Sequence, residues 1–363
     1  MIRVLLADDS GIVRAILKQL MSDDGRFNVC GSAENGQRAV EQNEALKPDL
    51  IVMDINMPVM DGITATKKIL ADYNPAIIAF TTEDAVDVGY KCLEAGALEV
   101  IRKPDLIEMN QTVMKTFLDQ FYLVAEKHVR NQESRSSKRK SLLQRIEERA
   151  AENQKPPSIQ LNQLNQVNTE KEKYEVVTAG ASTGGPAALL EFIAGLGKNF
   201  NLPLLITQHI DTNFDLHLVK WLKKNSGLDV RLAEDNTIPE KGVIYIAPAD
   251  KHMIVTGSYD GCKYINLTDD EPVHYLRPAV DKLFSSAAEV YGDRMIAVIL
   301  TGMGKDGAEG CKKAFDKGAL TIAQDEKSCA VFGMPQAAIN IGAVKHVLPI
   351  EEIAPFIRRK TGI

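Results

Sequence analysis

The feature that most constrains this chain is an alternation. From Ile2 to about Ala125, short apolar, β-branched runs alternate with stretches long enough for helices: Val4–Ala7, Val29–Gly31, Leu50–Met53, Ile77–Phe80 and Leu98–Ile101. Five such strands with helices between them predict a doubly wound parallel sheet of flavodoxin-like (βα)5 type. The pattern breaks over Glu126–Lys173. Residues 126–155 hold nine Lys/Arg and five Glu, residues 160–168 hold six Asn or Gln, and Pro156 and Pro157 stand between. Such a stretch has no apolar face to bury and reads as a linker, with SLLQRIEERAAE as at most a short helix. At Tyr174 the strands resume with EVVTAG, PLLITQ, VIYIAP, HMIVTG, MIAVILTG and ALTIAQ. They predict a second doubly wound α/β unit with a mainly parallel sheet. Val243–Ile246 and Met253–Val255, joined by APADKH, are expected to form an antiparallel hairpin inside it. The chain therefore divides into 1–125, 126–173 and 174–363, a natural partition for 363 residues at about 100–200 per domain.

Charge and cysteine content narrow the setting. With 43 Lys/Arg against 49 Asp/Glu the formal charge is −6, so no general attraction to nucleic acid or anionic membrane is expected. The N-terminus MIRVLLADDSG meets two aspartates before any signal-length apolar run, and no segment approaches about 18 consecutive apolar residues. Neither export nor membrane insertion is expected. Cys30, Cys92, Cys262, Cys311 and Cys329 are odd in number and unpaired in spacing, which suits reduced thiols in the cytoplasm.

In an open parallel sheet, chemistry collects at the carboxyl ends of the strands. In the first segment those ends carry Asp8 and Asp9, Asp54, Thr81 and Lys103-Pro104. Three carboxylates converging on one crevice repel one another unless a cation sits among them. Mg²⁺ would satisfy them and leave room for phosphate oxygens, which Lys103 and the Thr81 hydroxyl would hold. A carboxylate so placed can accept a phosphoryl group. A lone acidic pair after a strand is equally an N-cap, but polar residues at four strand ends are more than a cap requires.

This arrangement resembles the receiver domain of two-component response regulators over about Met1–Lys127. Asp8-Asp9-Ser10, Met53-Asp54-Ile55-Asn56-Met57-Pro58, Asp61-Gly62, Thr81 and Lys103-Pro104 carry the resemblance. It implies that Asp54 takes a phosphoryl group from a histidine kinase, with Mg²⁺ held by Asp8, Asp9, Asp54 and the Asn56 carbonyl. Val100 stands where receivers often carry an aromatic residue.

The second segment has its own constellation. The strand Glu175–Ala179 runs into Gly180-Ala181-Ser182-Thr183-Gly184-Gly185-Pro186, a Gly-x-Ser-x-Gly turn before a helix. Such a turn presents a serine hydroxyl at a sheet edge, although it also serves as a plain corner or a phosphate cradle. The strand Leu204–Thr207 ends in Gln208-His209, where a general base would stand if it is not a structural histidine. The strand Met295–Leu300 delivers Thr301-Gly302-Met303-Gly304-Lys305-Asp306-Gly307, whose Asp306 would orient the imidazole. Backbone N–H groups near Met303 would help hold an oxyanion. The same loop matches Gly-x-Gly-x-x-Gly, with Asp325 after the next strand. That dinucleotide reading sets a carboxylate in a pyrophosphate loop and leaves Ser182 and His209 idle.

Taken together, the chain resembles the chemotaxis response-regulator protein-glutamate methylesterases, a receiver followed by a serine-hydrolase domain. GASTGGPAAL (180–189), TQHI (207–210), YIAPADKHM (245–253), LRPAVDKLF (276–284), LTGMGKDGAEG (300–310) and QDEKSCAVFGMP (324–335) carry the resemblance. It implies Ser182 as nucleophile, His209 as base and Asp306 as the orienting acid, with Thr183 and Met303 in the oxyanion loops. It further implies hydrolysis of glutamate methyl esters on chemoreceptors, release of methanol, deamidation of receptor glutamines, and no cofactor for the ester reaction. DTNFDLHLVKWL, after TQHI, departs from the family wording. His217 and Trp221, four apart, read as helix packing. His252 and His274 read as residues lining the site, and Met334-Pro335 as loop architecture. A response regulator whose second domain only docks a partner would be expected to lack one of Ser182, His209 or Asp306. A DNA-binding output is disfavoured for want of a basic helix-turn-helix pattern.

Overall fold

The computed structural model describes residues 1–82, 91–103, 114–130, 173–210, 214–259 and 261–362. The polar stretch 131–172 and the SLLQRIEERAAE helix expectation lie outside the described residues. Two parallel sheets flank that stretch in sequence.

The first holds β1 (Ile2–Ala7), β2 (Phe27–Ala33), β3 (Leu50–Met53), β4 (Ala76–Thr81) and β5 (Glu99–Arg102), ordered β2-β1-β3-β4-β5. All four strand pairs are parallel. The inner strands β3 and β4 are buried along their whole length, so they read as continuous apolar runs rather than alternating ones. Helices α1 (Gly11–Asp24), α2 (Gly36–Leu46) and α3 (Gly62–Asp72) begin at Ser10, Asn35 and Asp61. Each of those side chains accepts a first-turn N–H, from Val13, Arg38 and Thr64 respectively, the ordinary way to satisfy orphan donors. Residues 91–94 form the described part of α4, and the described part of α5 is 114–130, past residue 125.

The second sheet is seven-stranded. Its strands are β6 (Val176–Ala181), β7 (Leu204–Gln208), β8 (Asp229–Leu232), β9 (Val243–Ile246), β12 (Met295–Ile299), β13 (Leu320–Gln324) and β14 (His346–Leu348), in the order β14-β13-β12-β6-β7-β9-β8. All its pairs are parallel. Helices α6 (Gly185–Leu196), α7 (Asp215–Ser226), α8 (Val280–Tyr291), α9 (Ala308–Asp316), α10 (Met334–Asn340) and α11 (Ile350–Thr361) cover it. Separate apolar clusters fill its two faces, one around Phe192, Leu222 and Ile357, the other around Tyr245, Phe284 and Met295. From β6 the chain first builds outward through β7, then returns to place β12 on the other side of β6. That reversal opens a crevice at the carboxyl ends of β6 and β12.

The expected hairpin needs correction. β9 is not its strand: it lies parallel between β7 and β8, buried throughout. The antiparallel pair is β10 (His252–Gly257) with β11 (Lys263–Thr268), a separate two-stranded sheet. VIYI has no polar face to show to water, so the interior of the large sheet claims it. The partly exposed KYINLT suits a covering ribbon instead.

The two units meet. Leu93 and Val100 pack against the core of the C-terminal unit, and Met303 and Val331 pack into the core of the N-terminal one. Around that apolar contact, Glu94 accepts hydrogen bonds from Asn225 Nδ2 at 3.1 Å and Lys224 Nζ at 3.3 Å, and Lys127 donates to the Glu326 carbonyl.

Candidate functional site

Ser182, His209 and Asp306 come from three adjacent strand ends. Ser182 follows β6, His209 follows β7, and Asp306 lies in the loop after β12. The backbone ties these ends together: Ser182 N–H donates to Thr301 O at 3.0 Å, His209 N–H donates to Ala181 O at 3.1 Å, and Gln208 Nε2 donates to Ser182 O at 3.0 Å. The loops need small residues. A Cβ on Gly302 would come within 2.8 Å of Ser182 Cβ, and Gly184 adopts the left-handed φ of +74° that lets the turn enter α6.

His209 Nε2 lies 2.7 Å from Asp306 Oδ2. Asp306 is 1% exposed and accepts three further hydrogen bonds, from Val280 N–H at 2.7 Å, Asp281 N–H at 3.0 Å and Gly307 N–H at 2.9 Å. Burial pushes its carboxyl up, but the His209 hydrogen bond and charge and these backbone donors outweigh it, leaving the group below the usual carboxylate range. The first turn of α8 thus supplies two of the groups that keep Asp306 ionised. Among the described residues no hydrogen bond joins Ser182 Oγ to the imidazole. Both residues line one cavity of about 860 Å³, together with Thr183 and Met303. Thr183 is buried, and its hydroxyl has no partner among the described residues.

The other sequence candidates find their places. His252, expected to line the site, is instead fully buried and not among the residues lining the cavity; it accepts from Ala279 N–H at 3.1 Å through Nδ1 and sits 3.2 Å from Glu271 O, with burial pushing its pKa down. His274 lines the cavity. Trp221 is a buried packing residue on α7, and Met334-Pro335 opens α10. The Gly302–Gly307 loop holds a carboxylate already committed to His209 and three N–H groups, so the dinucleotide reading gains nothing from it.

Two residues near the centre escaped the sequence reading. Asp281 is buried behind Asp306, accepts from Gly310 N–H at 2.7 Å, and lies 3.6 Å from His274. Burial foremost and the neighbouring Asp306 raise its pKa to about 6, against the Gly310 N–H. Glu99 of β5 reaches across from the N-terminal unit, lines the same cavity, and accepts the Gly184 N–H. Its one sequence signal is a carboxylate inside the otherwise apolar run LEVI.

The N-terminal constellation assembles at the carboxyl ends of β1, β3, β4 and β5. Asp8 and Asp54 are buried, Asp9 is exposed, and one oxygen of each lies within 4.8 Å of the others. Lys103 Nζ bridges Asp8 Oδ2 at 2.8 Å and Asp54 Oδ2 at 2.9 Å. Asp54 Oδ1 also accepts the Ile55 N–H at 2.8 Å. Burial raises the Asp54 pKa, Lys103 lowers it, Asp8 raises it again, and the net direction is up. Thr81 is fully buried with its hydroxyl unpartnered among the described residues, and Asn56 is exposed beside Asp54. An all-oxygen cluster carrying three carboxylates against one lysine fits a hard divalent ion.

Known proteins match both units. A family model described as CheB methylesterase covers residues 177–357, and one described as response regulator receiver domain covers residues 4–114. A curated relative from Anaeromyxobacter dehalogenans, named protein-glutamate methylesterase/protein-glutamine glutaminase 2, is 35% identical over 99% of this chain and 97% of its own length. One from Pyrococcus horikoshii, with the same name but no numeral, is 34% identical over 100% of this chain and 94% of its own. The crystal structure of the Thermotoga maritima CheB methylesterase catalytic domain covers 52% of this chain and 99% of its own, at 38% identity and TM-score 0.50. No helix among the described residues is long and apolar enough to cross a membrane. With a receiver fold, a second sheet whose strand ends gather a serine, a histidine and an aspartate, and relatives matching from end to end, this chain belongs to the receiver-linked protein-glutamate methylesterase/protein-glutamine glutaminase family.

Proposed function

We propose that the chain is divided into a receiver (1–125), a polar linker (126–173) and a catalytic unit (174–363), and that Ser182, His209 and Asp306 carry an acyl-transfer reaction. The observation behind this reading is the convergence of β6, β7 and β12, which puts the serine and the Asp306-held imidazole on one cavity. Asp306 holds one ring nitrogen and leaves the other to take the Ser182 proton. Ser182 Oγ attacks the γ-carbonyl of a methylated glutamate on a cytoplasmic chemoreceptor helix. The protonated imidazole donates to the departing methanol, and water, deprotonated by the same imidazole, releases the glutamate. N–H groups of the Thr183 turn and the Met303 loop face the developing oxyanion. An amide passes through the same intermediates, so receptor glutamines are substrates too. No step calls on a cofactor.

In the receiver, Asp54 is the phosphoacceptor and a histidine kinase its donor. Asp8, Asp9, Asp54 and the Asn56 carbonyl would hold Mg²⁺, which neutralises phosphoryl oxygens during transfer. Lys103 and the Thr81 hydroxyl then hold the oxygens of the phosphoryl group that Asp54 carries. The unphosphorylated receiver packs over the catalytic cavity and limits access, a reading supported by Glu99, Val100 and Phe117 lining that cavity beside Ser182. The protein acts in the cytoplasm, on receptors rather than on nucleic acid.

The direct test is methanol release from methylated receptor membranes, with and without a small phosphodonor. Release that depends on Ser182 and rises with phosphodonor is expected. Release equal in a folded Ser182→Ala protein overturns the assignment.

A further inference from the structure

Glu99 is 7% exposed, and among the described residues its carboxylate meets no cation: its hydrogen bonds there are to Gly184 N–H and, at 3.2 Å, to its own neighbour Val100 N–H. A buried carboxylate without a counter-charge is costly unless something specific holds it. What holds it is the turn that carries Ser182. Gly184 caps the 12-residue α6, so its N–H is an orphan donor at the positive end of a helix. Beside it stands the buried Thr183 hydroxyl, unpartnered among the described residues and lining the same cavity. The chemistry of the occupant is telling, because a glutamate side-chain carboxylate is what ester hydrolysis at this site releases.

We propose that Glu99 is an internal product mimic: the receiver closes the hydrolase by placing a glutamate carboxylate on Gly184 N–H, in the subsite that accepts the substrate's γ-carboxyl group. This deepens the occlusion reading above and rests on it. It assigns the inhibitory contact to one acceptor instead of the whole interface. It also gives a route for release. Glu99 opens β5, and the same strand ends at Arg102, next to the Lys103 that bridges Asp8 and Asp54. A phosphoryl group that draws Lys103 toward itself shifts the strand that carries the latch. Burial pushes the Glu99 carboxyl up to about 7, against the two N–H groups that lower it.

The test uses the full chain. Glu99→Ala removes the acceptor, and basal methanol release without phosphodonor is expected to rise about 5-fold or more, toward the phosphorylated wild-type rate. Glu99→Gln keeps an oxygen for Gly184 N–H without a buried charge, and its basal release is expected at or below wild type. In ¹⁵N NMR the Gly184 amide proton is expected downfield in unphosphorylated wild type, shifted upfield in Glu99→Ala, and returned downfield in that variant by N-acetylglutamate. Basal release unchanged in folded Glu99→Ala overturns the proposal, as does equal activation by Ala and Gln, which would mark general loosening of the interface. A Gly184 amide that ignores both Glu99→Ala and N-acetylglutamate overturns it as well. Wild type activated by phosphodonor while Glu99→Ala keeps wild-type basal release sinks the latch but leaves occlusion standing. Wild type indifferent to phosphodonor sinks occlusion itself.

Discussion

The two sheets gather carboxylates at their strand ends and treat them in opposite ways. Asp306 is enclosed by partners from its own unit, an imidazole and three backbone N–H groups, and its pKa falls. Asp54 is as deeply placed, shares one lysine with Asp8, and its pKa rises. The first arrangement is electrostatically complete and suits the role proposed for Asp306, a group that stays ionised beside an imidazole. The second leaves a deficit of positive charge, which suits a site that needs an ion and a phosphoryl group from outside. A parallel sheet thus offers the same edge to two chemistries, and the donors around each carboxylate decide which one it runs.

The largest effect that tests this contrast is at the proposed nucleophile. Ser182→Ala is expected to lower methanol release by at least about 10³-fold while phosphate uptake at Asp54 continues, measured on one preparation. Loss of both activities would mean that the sites do not stand apart. Next comes Lys103→Met, which leaves Asp8 and Asp54 without their shared cation. The receiver is expected to lose about 3–5 kcal/mol in urea unfolding, partly recovered in millimolar Mg²⁺. No recovery with Mg²⁺ would break the idea that the site awaits an ion.

A smaller effect concerns the contact between the units. A fragment of residues 174–363 is expected to exceed the unphosphorylated full chain by about 5- to 150-fold on the same receptor substrate. The relative solved as a catalytic domain alone shows that this unit folds by itself in the family. Asp54→Asn is expected to keep basal release and to lose the rise that a small phosphodonor produces in the full chain. A folded fragment no faster than the full chain would turn the receiver into an activator.

The smallest effect is a matter of sign. Asp281 is raised from 3.8 to about 6, so in the folded protein it holds a proton that the unfolded chain has lost between roughly pH 4 and 6. Its contribution to stability is therefore full below pH 4 and is lost as pH rises to about 6. Asp306, lowered, behaves oppositely: its contribution is present above 3.8 and disappears only in stronger acid. The urea midpoint of Asp281→Asn relative to wild type should climb between pH 4 and 6 and then level off. A difference flat across that range would contradict the raised value.

Local pattern was enough for the strand ends. A strand's last residue and the turn after it follow from where an apolar run stops, so Ser182, His209, Asp306, Asp8, Asp54 and Lys103 could be named before any strand was placed beside another. The hairpin shows where that logic fails. VIYI and HMIVTG are close in sequence and apolar, which favours pairing them, but VIYI is buried along its whole length and belongs between β7 and β8. Asp281 and Glu99 were missed for a related reason. Each is a carboxylate in an apolar stretch of LRPAVDKLF or LEVI, and its partners, Gly310 and Gly184, are remote in the chain.

Strand period and turn composition are local properties, so the amino-acid order alone was enough to place the two α/β units and to name the residues that end their strands. That β12 returns to lie against β6, that the first turn of α8 points its N–H groups at Asp306, and that β5 lays Glu99 on the turn of Ser182 came from the folded arrangement alone. Those are contacts between segments far apart in the chain. Their energies come from burial and from satisfying polar groups in a shared interior, and no local periodicity encodes which distant partner will do so.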